Sequence, residues 1–303
     1  MVTSAAPRAA LDVGSNTIRL LVARVSHGSF EPLVDESEFV RLGKGVDASG
    51  RLQEDRIVAA IEAIRTLVAR ASGLGADAVI AVATSAVRDA SNRVEFVHRV
   101  AEATEVKIRI LSGDEEARLT YLGAVLGNPV IDGTIICDLG GGSSELIFAS
   151  PRKMEWARSL QFGSGRLTEQ FVHHDPPAAV ELEEVRRRVR ELLHDLPEAR
   201  ATDSVLTGGT ASHIGYLLGK GGDQIRLDAG DLERVLTLIR TKTVDELVAE
   251  HEIRRERAEV LSAGITAATA IVEYYGTPRI TITQRGIREG TLVDSLQVAG
   301  TQA

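Results

Sequence analysis

Apolar residues fall into short runs separated by amphipathic stretches, and the whole alternation occurs twice along the chain. In the first half the runs predict strands over 8–13, 18–25 and 30–41. A helix follows over 51–71, with Ile57, Ile61, Ile64 and Val68 spaced to share one face. A strand over 77–83, a helix over 92–104 capped by Ser91 or Asn92, and a short strand over 108–111 complete the half. The pattern restarts with strands over 134–139, 145–149 and 154–161, then a charged helix over 181–196. A strand over 204–207, helices over 231–239 and 258–275 and a last strand over 279–283 close it.

Strands alternating with helices imply an α/β protein with largely parallel sheets covered on both faces. The repeat predicts two domains, 1–120 and 121–292, with a tail of about 293–303 packing back on the first. The boundary is placed near 119–133, where a helix ends in Gly127-Asn128-Pro129. No low-complexity linker intervenes, so the halves are expected to pack around a cleft.

At the same place in each repeat an apolar strand delivers an aspartate into a glycine turn. The first reads Leu11-Asp12-Val13-Gly14-Ser15-Asn16, the second Cys137-Asp138-Leu139-Gly140-Gly141-Gly142-Ser143-Ser144-Glu145. The first alone reads as a plain turn, and its pairing with the second at the same place in the repeat favours a functional reading. Three consecutive glycines, however, each weaken the local fold by roughly 0.5–1 kcal/mol relative to alanine, and close backbone approach to a phosphate is a sufficient reason for them. An aspartate cannot face a phosphate directly. A divalent cation between them resolves the repulsion, and Mg²⁺ binds through one or two carboxylates plus phosphate oxygens. Glu145 stands near enough to share a metal with Asp138.

Composition narrows the setting. The chain has 303 residues, 44% hydrophobic and 26% charged, which is ordinary for a globular protein. No apolar run approaches the ~20 residues that span a bilayer, and the first eight residues lack a signal-peptide core. The single cysteine, Cys137, excludes an internal disulfide, fits a cytoplasmic setting and lies in an apolar strand as a core residue. A net charge of −8 argues against nucleic acid and anionic membranes as partners.

Three further motifs carry candidate chemistry. Ser112-Gly-Asp114-Glu115-Glu116-Ala-Arg118 opens a helix: Ser112 with Glu115 forms a capping box, and Arg118 can pair with Asp114 or Glu115. Glu116 points elsewhere, and a carboxylate there is either an exposed helical acid or a group that orients and deprotonates a water. Thr84-Ser-Ala-Val-Arg88 is strand, polar turn, arginine, read equally as a phosphate grip or as a capped surface arginine. Thr207-Gly208-Gly209-Thr210 is the matching turn in the second repeat. The run Arg186-Arg187-Arg188 with Arg190 is read as a solvated helix laced by Glu183–Arg187 and Glu184–Arg188 pairs.

These motifs, in this order, resemble the exopolyphosphatase / guanosine pentaphosphate phosphohydrolase (Ppx/GppA) family, of the actin-like ATPase (ribonuclease H-like) superfamily, in a short two-domain form. The resemblance covers essentially the whole chain and includes Arg41-Leu-Gly-Lys44, Gly163-Ser-Gly-Arg166 and Gly286-Ile-Arg288-Glu-Gly. It implies duplicated actin-like domains with a cleft between them. It implies Glu116 as catalytic base, and Asp138 with Glu145 as the Mg²⁺ acids, Mn²⁺ being the substitute. It implies Gly14, Ser15, Asn16, Arg88, Gly140, Gly141, Gly142, Ser143, Gly208, Gly209 and Thr210 as phosphate-binding residues. The substrate implied is inorganic polyphosphate, losing its terminal phosphate; the alternatives are guanosine pentaphosphate (pppGpp), a superfamily kinase or a polyphosphate sensor without activity. A homodimer is carried as an expectation only. One departure is Gln284-Arg285, where many relatives have an acid.

Overall fold

The computed structural model describes residues 6–26, 29–127 and 130–301. Asn128 and Pro129, on which the sequence places the domain boundary, lie outside the described residues, as do residues 1–5. The chain divides into two units, Met1–Leu126 with Gly286–Ala303, and Gly127–Arg285.

The first unit runs β1 (Arg8–Val13), β2 (Thr17–Ser26), β3 (Ser29–Phe39), α1 (Val46–Ser49), α2 (Glu54–Gly73), β4 (Val79–Ala83), α3 (Ser85–Asp89), α4 (Arg93–Thr104), β5 (Ile108–Ile110) and α5 (Gly113–Ala124). The second runs β6 (Thr134–Leu139), β7 (Ser144–Ser150), β8 (Lys153–Leu160), α6 (Ser164–Phe171), α7 (Ala179–His194), β9 (Asp203–Thr207), α8 (Gly208–Leu217), β10 (Gln224–Leu227), α9 (Ala229–Thr241), α10 (Val244–His251), α11 (Arg255–Tyr275) and β11 (Ile280–Thr283). The last helix, α12 (Ile287–Thr301), returns to the first unit.

The first sheet has the order β3-β2-β1-β4-β5 and the second β10-β11-β9-β6-β7-β8. The shared order, β3-β2-β1-β4-β5 against β8-β7-β6-β9-β11, is the duplication. Both sheets are mixed rather than largely parallel: β1–β2, β2–β3, β6–β7 and β7–β8 are antiparallel, while β1–β4, β4–β5, β6–β9 and β9–β11 are parallel. The connections made by the two glycine turns are too short for a parallel crossover, which needs a dozen or more residues.

In the first unit α2 and α4 cover one sheet face, burying Ile57, Ile64, Leu67, Phe96 and Val100 against Leu11 and Val13. Each such side chain withdrawn from water stabilises the fold by roughly 1.5–3 kcal/mol. The buried stripe of α2 includes Ala60 and Leu67, with Ile61 and Val68 packed at its margin. α12 covers the other face, where Leu292 packs with Ala10 and Leu21. α12 also runs against α5 at backbone contact: a Cβ on Gly290 would lie 1.8 Å from the Leu119 carbonyl oxygen, and one on Gly123 1.8 Å from that of Gly286. In the second unit α11 is the central helix, almost wholly buried from Arg257 to Val272.

Several local pairings differ from the sequence reading. Asn92 is the N-cap residue of α4, but its side chain makes no capping bond and instead bonds both the N–H and the carbonyl of Leu52, at 2.9 and 3.0 Å. Arg118 reaches Asp294 of α12 at 2.7 Å instead of its own helix. On α7, Arg187 pairs with Glu184 at 2.6 Å and with Glu191, while Arg186 and Arg190 converge on Glu273 of α11. Arg187 and Arg188 thus pair within α7, with Glu184 and Glu191 rather than with Glu183 and Glu184 as expected.

Candidate functional site

Both Asp-Gly turns have one geometry. Gly14 N–H donates to the Thr17 carbonyl and Gly140 N–H to the Ser143 carbonyl, each at 3.1 Å. A Cβ on either glycine would lie within 3 Å of that carbonyl oxygen.

Each turn is then held from one side by its carbonyls. In the first unit Gly43 N–H donates to Ser15 O at 2.8 Å, and Val40 and Arg41 N–H both donate to Asn16 O at 2.9 Å. In the second, Ser164 N–H donates to Gly140 O at 2.9 Å, while Gly165 and Arg166 N–H donate to Gly141 O at 2.9 and 3.1 Å. In a trans peptide the C=O and the following N–H point opposite ways. The Gly141 and Gly142 N–H groups are therefore directed away from α6, and the Asn16 N–H away from the 40–43 segment. Amides turned to one side of a loop in this way can form an anion cradle. Gly163 is required for this clamp, because a Cβ there would meet Gly141 and Gly142 backbone at 2.5–2.6 Å. Ser15 contributes a further tie: its Oγ accepts from Ala86 N–H at 3.2 Å. The side chain of Ser143 is buried in the loop.

The two aspartates differ in what stands opposite them. Asp138 is in register with Glu145 on one side and Thr207 on the other. Asp12 is in register with Arg19 and Val82. Directly opposed residues share a sheet face with Cβ atoms about 4.5–5.5 Å apart, and like charges so placed repel. The position opposite Asp138 is thus acidic where the position opposite Asp12 is basic. Glu145 is 1% exposed and accepts a 2.8 Å hydrogen bond from Ser159 Oγ. The Asp138 carboxylate lies over Gly208, whose φ is +86° and whose Cβ, if present, would fall 2.3 Å from Asp138 Oδ1. Two hard oxygen donors on one face suit a Mg²⁺ that completes its shell with phosphate oxygens and water. No group of three or more His, Cys, Asp or Glu able to hold a metal occurs among the described residues. Cys137 is fully buried, and burial, then the charges of Asp138 and Glu145, push its thiol well above the ordinary range, as suits a core residue.

In the first unit, Arg88 and Glu116 come together. Arg88 Nη1 donates to Glu116 Oε2 at 2.6 Å and to the Leu111 carbonyl at 3.2 Å. Glu116 is 6% exposed, whereas Asp114 and Glu115 on the same turn are exposed. Ser112 and Glu115 form the capping box, with Glu115 Oε2 accepting from Ser112 N–H at 2.8 Å. These bonds hold the Glu115 carboxyl below its ordinary value. The cap fixes the first turn of α5 and so fixes which way Glu116 projects.

Thr207 ends β9 beside Asp138, and Gly208 opens α8. The carbonyls of Gly208 and Gly209 accept from Ser212 Oγ and His213 Nδ1, at 3.0 and 2.8 Å. Thr210 is buried, and its Oγ1 lies 2.7 Å from where a Cβ on Gly264 would be. Its side chain is thus turned onto α11. Sequence reasoning left unassigned the 40–43 segment, the α6 amides and Ser159. The first two stood in the quoted motifs Arg41-Leu-Gly-Lys44 and Gly163-Ser-Gly-Arg166 without a role, and Ser159 carried no signal.

Comparison with known proteins places these residues in context. The pattern of the Ppx/GppA phosphatase family matches residues 21–299. Exopolyphosphatase 1 of Mycobacterium tuberculosis is 30% identical over 94% of this chain and 87% of its own length. Exopolyphosphatase 2 of the same organism is 30% identical over 96% of this chain and 98% of its own. A solved exopolyphosphatase from Cytophaga hutchinsonii superposes with a TM-score of 0.89 at 24% identity, covering 96% of this chain and 98% of that one. The fold is the duplicated actin-like one.

Proposed function

This chain belongs to the Ppx/GppA phosphatase family, and we propose that it is an exopolyphosphatase, a hydrolase that removes the terminal phosphate of inorganic polyphosphate. The relatives named exopolyphosphatase, matched over most of their lengths, support polyphosphate as the substrate class. The observation that carries the chemistry is the pair formed by the buried Glu116 and the partly buried Arg88.

Glu116 is the water-handling carboxylate, and Arg88 orients it by fixing one of its oxygens. A carboxylate so fixed is suited to aligning a water. Phosphoryl transfer asks for little more, because its loose transition state depends on positioning and charge stabilisation. Water oxygen attacks the terminal phosphorus, the P–O bond to the rest of the chain breaks, and the shortened polyphosphate leaves with the bond electrons. Glu116 accepts the proton of the attacking water. In each unit the turn amides are the phosphate-holding donors, Asn16 in the first and Gly141 and Gly142 in the second. Asp138 and Glu145 hold Mg²⁺, or Mn²⁺ in its place, which when bound neutralises charge on the phosphate. A cytoplasmic setting and a homodimer belong to the same proposal. The first is supported by the lone buried thiol, and the second is to be read from light scattering. No helix among the described residues is long and apolar enough to cross a membrane.

Phosphate release from short polyphosphate, long polyphosphate, guanosine pentaphosphate and ATP, with and without Mg²⁺, tests the reading. Metal-dependent release from polyphosphate is expected. Release from guanosine pentaphosphate alone contradicts it.

A further inference from the structure

Three parallel strands of the second sheet end side by side. β9 runs parallel to β6 and to β11, with Thr207 in register with Asp138 and Leu206 with Ile282. Carried two residues on, the second register sets Gln284 beside Gly208, on the side away from β6. Hydrogen bonds agree with this placement. Thr207 Oγ1 donates to the Arg285 carbonyl at 2.8 Å. Ser212 Oγ, one turn into α8, donates to Gln284 Oε1 at 2.8 Å. From the other side a Cβ on Gly208 would fall 2.3 Å from Asp138 Oδ1. The Gly208 turn is thus flanked by an acid and an amide, at strand C-termini where ligands of open α/β sheets sit. Gln284-Arg285 is also the departure from the family motif. Arg285 Nη2 reaches Asp223 at 2.5 Å, whereas Gln284 is exposed. A carboxamide carries an acceptor oxygen on one side and two N–H donors on the other. With Oε1 on Ser212, the Gln284 Nε2 is turned away from Ser212.

We propose that Gln284 is a specificity-determining residue of this site: its amide donates to a phosphate oxygen of the bound polyphosphate at the Gly208 turn. A neutral donor suits a ligand that carries negative charge on every phosphate. A carboxylate at position 284 would add a further acid beside Asp138 and Glu145, and like charges juxtaposed on binding disfavour the complex. The Ser212 bond holds the amide in place beforehand, so less side-chain freedom is lost when the ligand arrives. Gln284 serves binding, and the bond-breaking step stays with Glu116 and its water. The inference deepens the reading of the chain as a polyphosphate hydrolase and rests on it.

Phosphate release from polyphosphate in Mg²⁺, with KM and kcat resolved, tests it on the full chain in two variants. Gln284→Glu keeps an oxygen for Ser212 Oγ but exchanges the N–H donors for a charge. Gln284→Ala removes both oxygen and donors. A side chain that only held Ser212 would be replaced well by glutamate and badly by alanine, and a phosphate donor ranks them the other way. KM should rise about tenfold or more in Gln284→Glu and about threefold in Gln284→Ala, with kcat within about twofold of the parent in both, as for lost ground-state binding. Tripolyphosphate affinity by calorimetry should fall in the same order. If the parent protein releases no phosphate from polyphosphate, the functional reading fails and this inference with it. If the parent is active and Gln284→Glu keeps its KM within twofold, or Gln284→Ala raises KM as much as Gln284→Glu, the functional reading stands and the role of Gln284 is overturned.

Discussion

Arg88 Nη1 and Glu116 Oε2 meet at 2.6 Å across 28 residues of sequence, with both side chains largely withdrawn from water. Removing one member of a buried ion pair leaves the other charge uncompensated, at a cost of about 3–5 kcal/mol. Arg88→Met should therefore lower unfolding stability by that order, and Arg88→Met/Glu116→Gln should recover most of it. Urea unfolding of the two variants checks this. Equal stability in both shows that the pair is not coupled.

The contact between α5 and α12 depends on two glycines. Gly290→Ala puts a Cβ 1.8 Å from a backbone oxygen that has no rotamer to escape by. The helices must separate, and overpacking of this kind costs typically about 1–3 kcal/mol. Gly73, at the end of α2, has nothing within 4 Å. Gly73→Ala should be neutral or stabilising by up to about 1 kcal/mol. Thermal melts that rank the two variants the other way refute the account of this contact.

The phosphate loop should be sensitive to Gly163, although no side chain is present there to bind anything. Gly163→Ala displaces the Gly141–Gly142 backbone from its clamp. The expected result is a tenfold or larger rise in KM for polyphosphate, about 1.4 kcal/mol of lost binding, with secondary structure retained by circular dichroism. A KM within twofold of the parent protein contradicts the loop assignment.

Acid stability should depend on Glu181. Burial alone would raise its pKa, but the hydrogen bond with His174 and those from the Ala178 and His173 N–H groups bring it from 4.5 to about 2. A carboxyl depressed in the folded state stabilises fully above its unfolded value. That contribution is lost as pH falls from about 4.5 toward 2. Glu181→Gln should flatten the stability profile between those limits and leave its shape near pH 7 unchanged. An unaltered acid limb contradicts this.

Much of the fold was legible because apolar runs set strands and period-3.6 stripes set helices. β1 and β6 coincide with their runs, since each is a continuous apolar segment bounded by an abrupt glycine turn. Sheet direction was misread, because local pattern does not show that 14–16 and 140–143 are tight connections between paired strands. Helix α8 was hidden by its opening Gly208-Gly209, and α6 and α10, eight residues each, offered too few turns for a stripe. At the site, Asp138, Glu145 and Glu116 could be nominated from residue type and spacing. The Arg88–Glu116 contact and the hold of Arg288 on Asp35 join residues 28 and 253 apart, which only the folded chain brings together.

The central claim is that Glu116 aligns the attacking water while other groups bind the substrate. Glu116→Gln keeps shape and hydrogen bonding but cannot take a proton. Phosphate release from polyphosphate in Mg²⁺, with polyphosphate affinity measured in parallel, is the most direct test. A fall in turnover of about 10²–10⁴-fold with affinity nearly unchanged is predicted. Full phosphate release by Glu116→Gln contradicts the account.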